Sequence, residues 1–236
     1  MPYVDVGQIC NLPVTGRYRS SLTVTGRLQI CPTFFPRFRC MSSPSDGLRS
    51  PELLHRASSR LLIVDVQEKL VVALSESTRE RLVANCRFLI EGAKLFGVPV
   101  AATEQYPQGL GPTVAALAEL ISERPAKKRF SAVECLGWPT AAAASDDRFQ
   151  IVVAGMESHV CVMQTVLDLL SVGYQTTVVA DAVGARGDLD HQTALERMAN
   201  SGATISTAEA VLFEWCESAD ATEFKRLSAL VKARVS

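Results

Sequence analysis

This sequence predicts an α/β domain built as three layers, with a mostly parallel sheet of about six strands and helices on both of its faces. Three observations carry the prediction. From Arg60 onward short apolar runs alternate with longer amphipathic stretches, and strand, helix, strand in succession pairs strands in parallel through right-handed crossovers. The apolar runs are near-continuous, as strands covered on both faces must be. At 236 residues and 47% hydrophobic content the chain can also bury a substantial core in one domain.

The elements follow in order. Leu61 to Val64 reads as a buried strand ending at Asp65. Leu82, Cys86, Leu89, Ile90 and Ala93 recur at helical spacing, so Thr78 to Phe96 is predicted helical, stopped by Gly97 as a C-terminal cap. Val98 to Thr103 is the next strand. The segment from Glu104 to Pro112, punctuated by Pro and Gly, is a loop. A helix from Thr113 to Ser122 and a short strand at Pro125 to Lys127 come next. Arg148 to Ala154 is a strand, Val160 to Val172 a helix closing at Gly173, and Thr176 to Ala180 a strand. Asp190 to Ser201 is helical and stops at Gly202. Ala203 to Ser206 is the final strand, followed by helices at Ala208 to Phe213 and Ala221 to Ala233.

Composition narrows the function classes. Lys and Arg total 24 against 25 Asp and Glu, for a net charge of -1 and a pI near 6.3, which offers nucleic acid or an anionic membrane no electrostatic attraction. A small-molecule substrate fits better. No apolar run reaches the roughly 20 residues of a membrane span. The seven cysteines include no Cys-x-x-Cys pair, which points to a reducing compartment and a cytoplasmic protein. Cys86 and Cys216 lie in apolar contexts and read as small core residues.

Residues 1–50 differ from the rest. They hold Arg17, Arg19, Arg27, Arg37, Arg39 and Arg49 but only Asp5 and Asp46 as acids, and no lysine. That composition suits either an organelle transit segment or an upstream extension ahead of a start at Met41, and in both cases a disordered one. Residues 51–236 form the predicted catalytic domain.

Ligands of such sheets bind outside the carboxyl ends of the strands, where the strand order reverses. Asp65, Thr103 and the turn Gly155 to Val162 all fall at strand carboxyl ends. In that turn Cys161 stands where a buried strand gives way to a helix, whose N-terminal amides favour thiolate and can receive an oxyanion. Asp65 ends an apolar strand, where a carboxylate needs a partner or a task. Lys127 or Lys128 can supply a neighbouring ammonium. On spacing alone the aspartate can equally be a helix cap and the lysine solvated surface.

Leu62 to Gln67 (Leu-Ile-Val-Asp-Val-Gln), Lys127 to Ser131 (Lys-Lys-Arg-Phe-Ser) and Gly155 to Val162 together resemble the isochorismatase-like cysteine hydrolase family, with coverage from about Arg60 to Lys232. Thr103 to Pro112 is similar to the subgroup of isochorismatase domain-containing proteins. The resemblance implies a Rossmann-like hydrolase fold and a catalytic triad of Asp65, Lys127 and Cys161, with Lys128 as the alternative lysine. It also implies a cis peptide between Met156 and Glu157 and an oxyanion hole from the Glu157 and Cys161 amides. Members usually assemble as dimers or larger, so a homo-oligomer is expected.

The reaction that names the family, vinyl-ether cleavage, needs no sulfur nucleophile. A cysteine at 161 therefore favours amide, ureido or ester hydrolysis, with vinyl-ether hydrolysis and a catalytically silent interaction protein as the alternatives. Related nicotinamidases carry an Asp-x-His metal element. The corresponding loop here reads Glu104-Gln105-Tyr106, so no catalytic metal and no cofactor are expected. Gln67, Tyr106, Phe130 and His159 are candidates for the substrate pocket, Gln67 as a hydrogen-bonding partner of substrate or Asp65. His191 follows Asp188 and Asp190 at a helix start, where aspartates read as caps rather than as part of a metal site.

Overall fold

The computed structural model describes residues 49–235, so the expectation for the Arg-rich N-terminal segment lies almost wholly outside the described residues. Six parallel strands form one sheet: β1 (Ser59–Val64), β2 (Val100–Gln105), β3 (Ala126–Lys127), β4 (Gln150–Met156), β5 (Gln175–Gly184) and β6 (Thr204–Ser206). Their order is β3-β2-β1-β4-β5-β6, so the chain reverses its direction of travel across the sheet between β1 and β4. That reversal opens a crevice at the carboxyl ends of those two strands.

Period-two alternation sorts the side chains of β1 between two helical layers. Leu61 and Ile63 face one core together with α2 (Glu76–Phe96), α8 (Ala208–Cys216) and α9 (Phe224–Val235). Leu62 and Val64 face the other, under α6 (Met163–Ser171) and α7 (Asp188–Asn200). Ser75 caps α2 by accepting the Thr78 N–H at 3.3 Å, and Gly97, at φ +68°, closes it in the left-handed conformation that glycine tolerates. β1 and β4 approach closely because residue 155 is glycine: its φ is +124°, and a Cβ there would run into the Val64 backbone.

Four local expectations change. Between Thr113 and Ser122 only α4 (Ala115–Ala118) is α-helical, because Thr113 is taken by an antiparallel bridge to Gln67 and by hydrogen bonds to the Glu104 carboxylate. The helix expected from Val160 begins instead as a π turn, Ser158–Val162, and turns α-helical only at Met163. β5 runs on to Gly184 past a register irregularity opposite Val153 to Gly155. Three four-residue helices, α1 (Glu68–Val71), α3 (Pro107–Leu110) and α5 (Val133–Leu136), lie in segments too short to show a period.

Candidate active site

Asp65 leaves β1 with φ +49°, and Tyr106 leaves β2 with φ +37°. Non-glycine residues rarely hold the left-handed region, and of the four described residues that do, these two sit at the carboxyl ends of neighbouring strands. The turn aims the Asp65 carboxylate into the protein, fully buried. Lys127, the last residue of β3 and 6% exposed, sets its ammonium 2.6 Å from Asp65 Oδ2. Lys128 is exposed and gives only its carbonyl, to the Gln105 side chain, so the ion pair belongs to Lys127.

A buried pair of this kind is costly to desolvate and needs further hydrogen bonds to hold it. It has them. Thr103 Oγ1 donates to Asp65 Oδ1 at 2.8 Å. Lys127 Nζ donates to Gln105 Oε1 at 2.8 Å and to the Phe130 carbonyl at 2.7 Å, with the Arg129 carbonyl at 3.3 Å.

Cys161, 4% exposed, lies in the π turn after β4. Burial first, then the Asp65 charge and the nearness of its side chain, push the thiol up to about 12, while Lys127 and the Glu157 N–H act the other way. The thiolate expected from a helix N-terminus is therefore not the resting form. The turn is a π turn inside the core, and the carboxylate beside it outweighs the amides. Asp65 meets side-chain donors from two remote segments, Thr103 and Lys127, and its charge acts on the Cys161 thiol from a third. The Met156–Glu157 bond is cis.

The other sequence candidates fall around this centre. Gln67 is fully buried and its amide is engaged at both ends by backbone: it accepts from the Gln105 N–H at 2.7 Å and donates to the Gln105 and Gly111 carbonyls. Its side chain clamps the β2 loop and makes no bond to the Asp65 carboxylate, so the bond expected between the two residues runs through backbone alone, the Gln67 N–H donating to the Asp65 carbonyl at 2.8 Å. Tyr106 and Phe130 are about half exposed; the Tyr106 N–H donates to the Lys127 carbonyl, and the Phe130 carbonyl accepts from the Lys127 ammonium. His159 lies in the π turn with Nε2 4.0 Å from Asp190 of α7. His191 Nδ1 is 3.2 Å from Ser158 Oγ. Among the described residues no three His, Cys, Asp or Glu side chains gather as a metal site would require.

Sequence reading gave no role to Thr103, Gln105 or Thr165. Thr165 Oγ1 donates to the Cys161 carbonyl at 2.6 Å and accepts from the Ala132 N–H at 2.9 Å, tying the π turn to the loop before α5. Thr103 and Gln105 stand two apart on one strand, the one signal that pointed to a shared face. Cys135 of α5 is near enough to feel the charges of Lys127 and Asp65, and burial raises its thiol.

With this geometry in place, comparison with known proteins is informative. Residues 59–210 match the isochorismatase domain as a protein family. The chain belongs to that family. Isochorismatase domain-containing protein 2 of Bos taurus is 38% identical over 180 residues, spanning 74% of this chain and 83% of the relative. Among solved structures, the MAR1 ribonuclease of Caenorhabditis elegans superposes with a TM-score of 0.69 at 32% identity, covering 76% of this chain and 92% of that one. The YcaC gene product of Escherichia coli, described as an octameric hydrolase of unknown specificity, gives a TM-score of 0.69 at 23% identity over 79% of this chain and 93% of its own, which is a likeness of fold. Within the isochorismatase family fold, the three-layer arrangement and six-stranded parallel sheet expected from the sequence are observed.

Proposed function

We propose that the chain is a cysteine hydrolase that cleaves a small amide, ureido or ester substrate through Asp65, Lys127 and Cys161. The observation that carries the reading is the buried Asp65 carboxylate, paired with the Lys127 ammonium at 2.6 Å and close enough to the Cys161 thiol for its charge to act on it. A thiol held near 12 is a weak nucleophile by itself, so the reaction needs a base in contact with it.

Asp65 takes the Cys161 proton as sulfur bonds to the substrate carbonyl carbon, and Lys127 holds the site electrically balanced. The carbonyl oxygen takes up the electron pair and rests on the Glu157 and Cys161 amides. As the tetrahedral centre collapses, Asp65 returns the proton to the leaving amine or alcohol and the bond to it breaks. Water then gives a proton to Asp65 while its oxygen bonds the thioester carbon. The carbon–sulfur bond breaks and Asp65 reprotonates the thiolate. Tyr106, Phe130 and His159 line the entry, and no metal or cofactor takes part. The protein is expected to work as a homo-oligomer, as is stated of the octameric YcaC gene product; gel filtration with light scattering, giving the mass of more than one chain, would bear this out.

The ribonuclease description of the nematode relative belongs to that protein. Here the near-neutral chain and the fully engaged Lys127 ammonium favour a small uncharged carbonyl compound over a polyanion. Incubation with a library of amides, ureido compounds, esters, a vinyl ether and single-stranded RNA, followed by mass spectrometry of intact protein and peptides, tests the reading. An acyl adduct on Cys161 that disappears in Cys161→Ala is expected. Turnover without any Cys161 adduct, undiminished in Cys161→Ala, sinks it.

A further inference from the structure

Thr103 and Gln105 are two residues apart on β2, so their side chains leave the same face of the strand. Glu104 between them turns the other way, to Thr113 and Arg124. A carboxylate only accepts hydrogen bonds, so the Thr103 hydroxyl spends its single proton on Asp65 Oδ1. A backbone carbonyl also only accepts, so the Lys128 carbonyl fixes which end of the Gln105 amide is NH2 and leaves Gln105 Oε1 facing Lys127. An ammonium has three protons. Asp65, Gln105 and the Phe130 carbonyl, all within 2.8 Å, take all three, which leaves Lys127 no donor for a substrate.

The geometry points to Thr103 and Gln105 as positioning residues for the ion pair, Thr103 fixing the orientation of the Asp65 carboxylate toward Cys161 and Gln105 fixing the Lys127 ammonium so that it never touches substrate. This deepens the cysteine hydrolase reading and rests on it. The oxyanion is then left to backbone amides, and Lys127 acts through Asp65 alone. The titratable groups facing the carboxylate are Lys127 from β3, Cys161 from the π turn and, through the electrostatic field, Cys135 from α5. Gln67 locks the arrangement from behind by clamping both backbone groups of Gln105.

Two measurements on the full chain test this. Iodoacetamide labelling of Cys161 at about pH 7, followed by peptide mapping, reads the proton transfer to Asp65. Hydrogen exchange of the Lys127 ammonium in 15N-lysine protein reads how firmly that group is held. Thr103→Val removes a hydrogen bond that turns the carboxylate to the thiol, so labelling of Cys161 should slow by about tenfold or more. Thr103→Ser should restore it. Gln105→Met should speed ammonium exchange by about tenfold or more. An unchanged labelling rate overturns the role of Thr103, and unchanged exchange overturns that of Gln105. If Cys161 of the unsubstituted protein labels no faster than Cys86, the hydrolase reading falls. Ammonium exchange, expected to quicken in both variants, then decides the positioning roles alone. Should a variant fail to fold, Thr103→Ala and Gln105→Ala read the same two quantities.

Discussion

Both edges of the sheet bury polar side chains, but they bury different kinds. At the amino ends of the strands the buried side chains are neutral, and Ser59 and Gln150 are hydrogen-bonded to backbone and to Trp215, while the Thr176 hydroxyl is buried without a partner. Ser59 Oγ donates to the His55 carbonyl and accepts from Trp215 Nε1 at 3.0 Å, while Gln150 accepts from the His55 N–H at 2.8 Å and donates to the Leu53 carbonyl. At the carboxyl ends the buried groups are a carboxylate, an ammonium and a thiol. A satisfied neutral network costs little and fixes packing, whereas buried charges cost several kcal/mol each to desolvate and add little stability in return. The amino edge is therefore read as architecture and the carboxyl edge as chemistry. A cavity of about 260 Å3 at the amino edge, walled by Leu54, Gln150, Tyr174 and Thr176, does not alter this, since no buried carboxylate, ammonium or thiol faces it.

Substitutions sharpen the contrast in order of effect. Cys161→Ala should remove turnover of a confirmed substrate, by about a thousandfold or more, while leaving the thermal midpoint close to that of the parent, as steady-state kinetics and calorimetry would show. Full activity in that variant breaks the comparison at its centre. Asp65→Asn should cost a similar factor but change the thiol in the opposite sense. Without the carboxylate the charge that keeps Cys161 protonated is gone, so alkylation should lose its flat neutral region and climb about tenfold per pH unit until the thiol ionises, at a pH below the value of about 12 it has now.

Stability separates the edges next. Lys127→Met leaves a buried carboxylate without its cation and should destabilise by about 3–5 kcal/mol in urea titrations. Ser59→Ala should cost about 1–3 kcal/mol through the unpaired Trp215 N–H and leave activity unchanged. A larger loss of turnover than of stability in Ser59→Ala would erase the distinction between the two edges.

The smallest effect concerns alkaline pH. The folded state holds the Cys161 proton more tightly than the unfolded chain does, because the folded value of about 12 lies above the ordinary 9.0. Its contribution is intact below about pH 9 and drains as pH rises toward 12, so stability falls across that window. Cys161→Ala should flatten part of that slope in denaturation measured at successive pH values.

Much of the fold was legible because burial on both faces writes continuous apolar runs into β1 and β4, and because Gly97, Gly173 and Gly202 mark where helices end. The stretch from Thr113 to Ser122 misled for the converse reason. Its apolar spacing suits a helix, but Glu104 and Gln67, distant in sequence, compete for Thr113 and hold the chain out of one.

By itself, then, the sequence determined the layer order, the carboxyl-end location of Asp65 and Cys161 and the family to which they belong, since each is written in periodicity or in contiguous motifs. Only the tertiary structure decided which lysine pairs with Asp65, that Thr103 and Gln105 hold the pair, and that Cys161 rests as a thiol. Those outcomes depend on distances between residues from β1, β2, β3 and the π turn, and on the loss of water around them, neither of which any local stretch of sequence encodes.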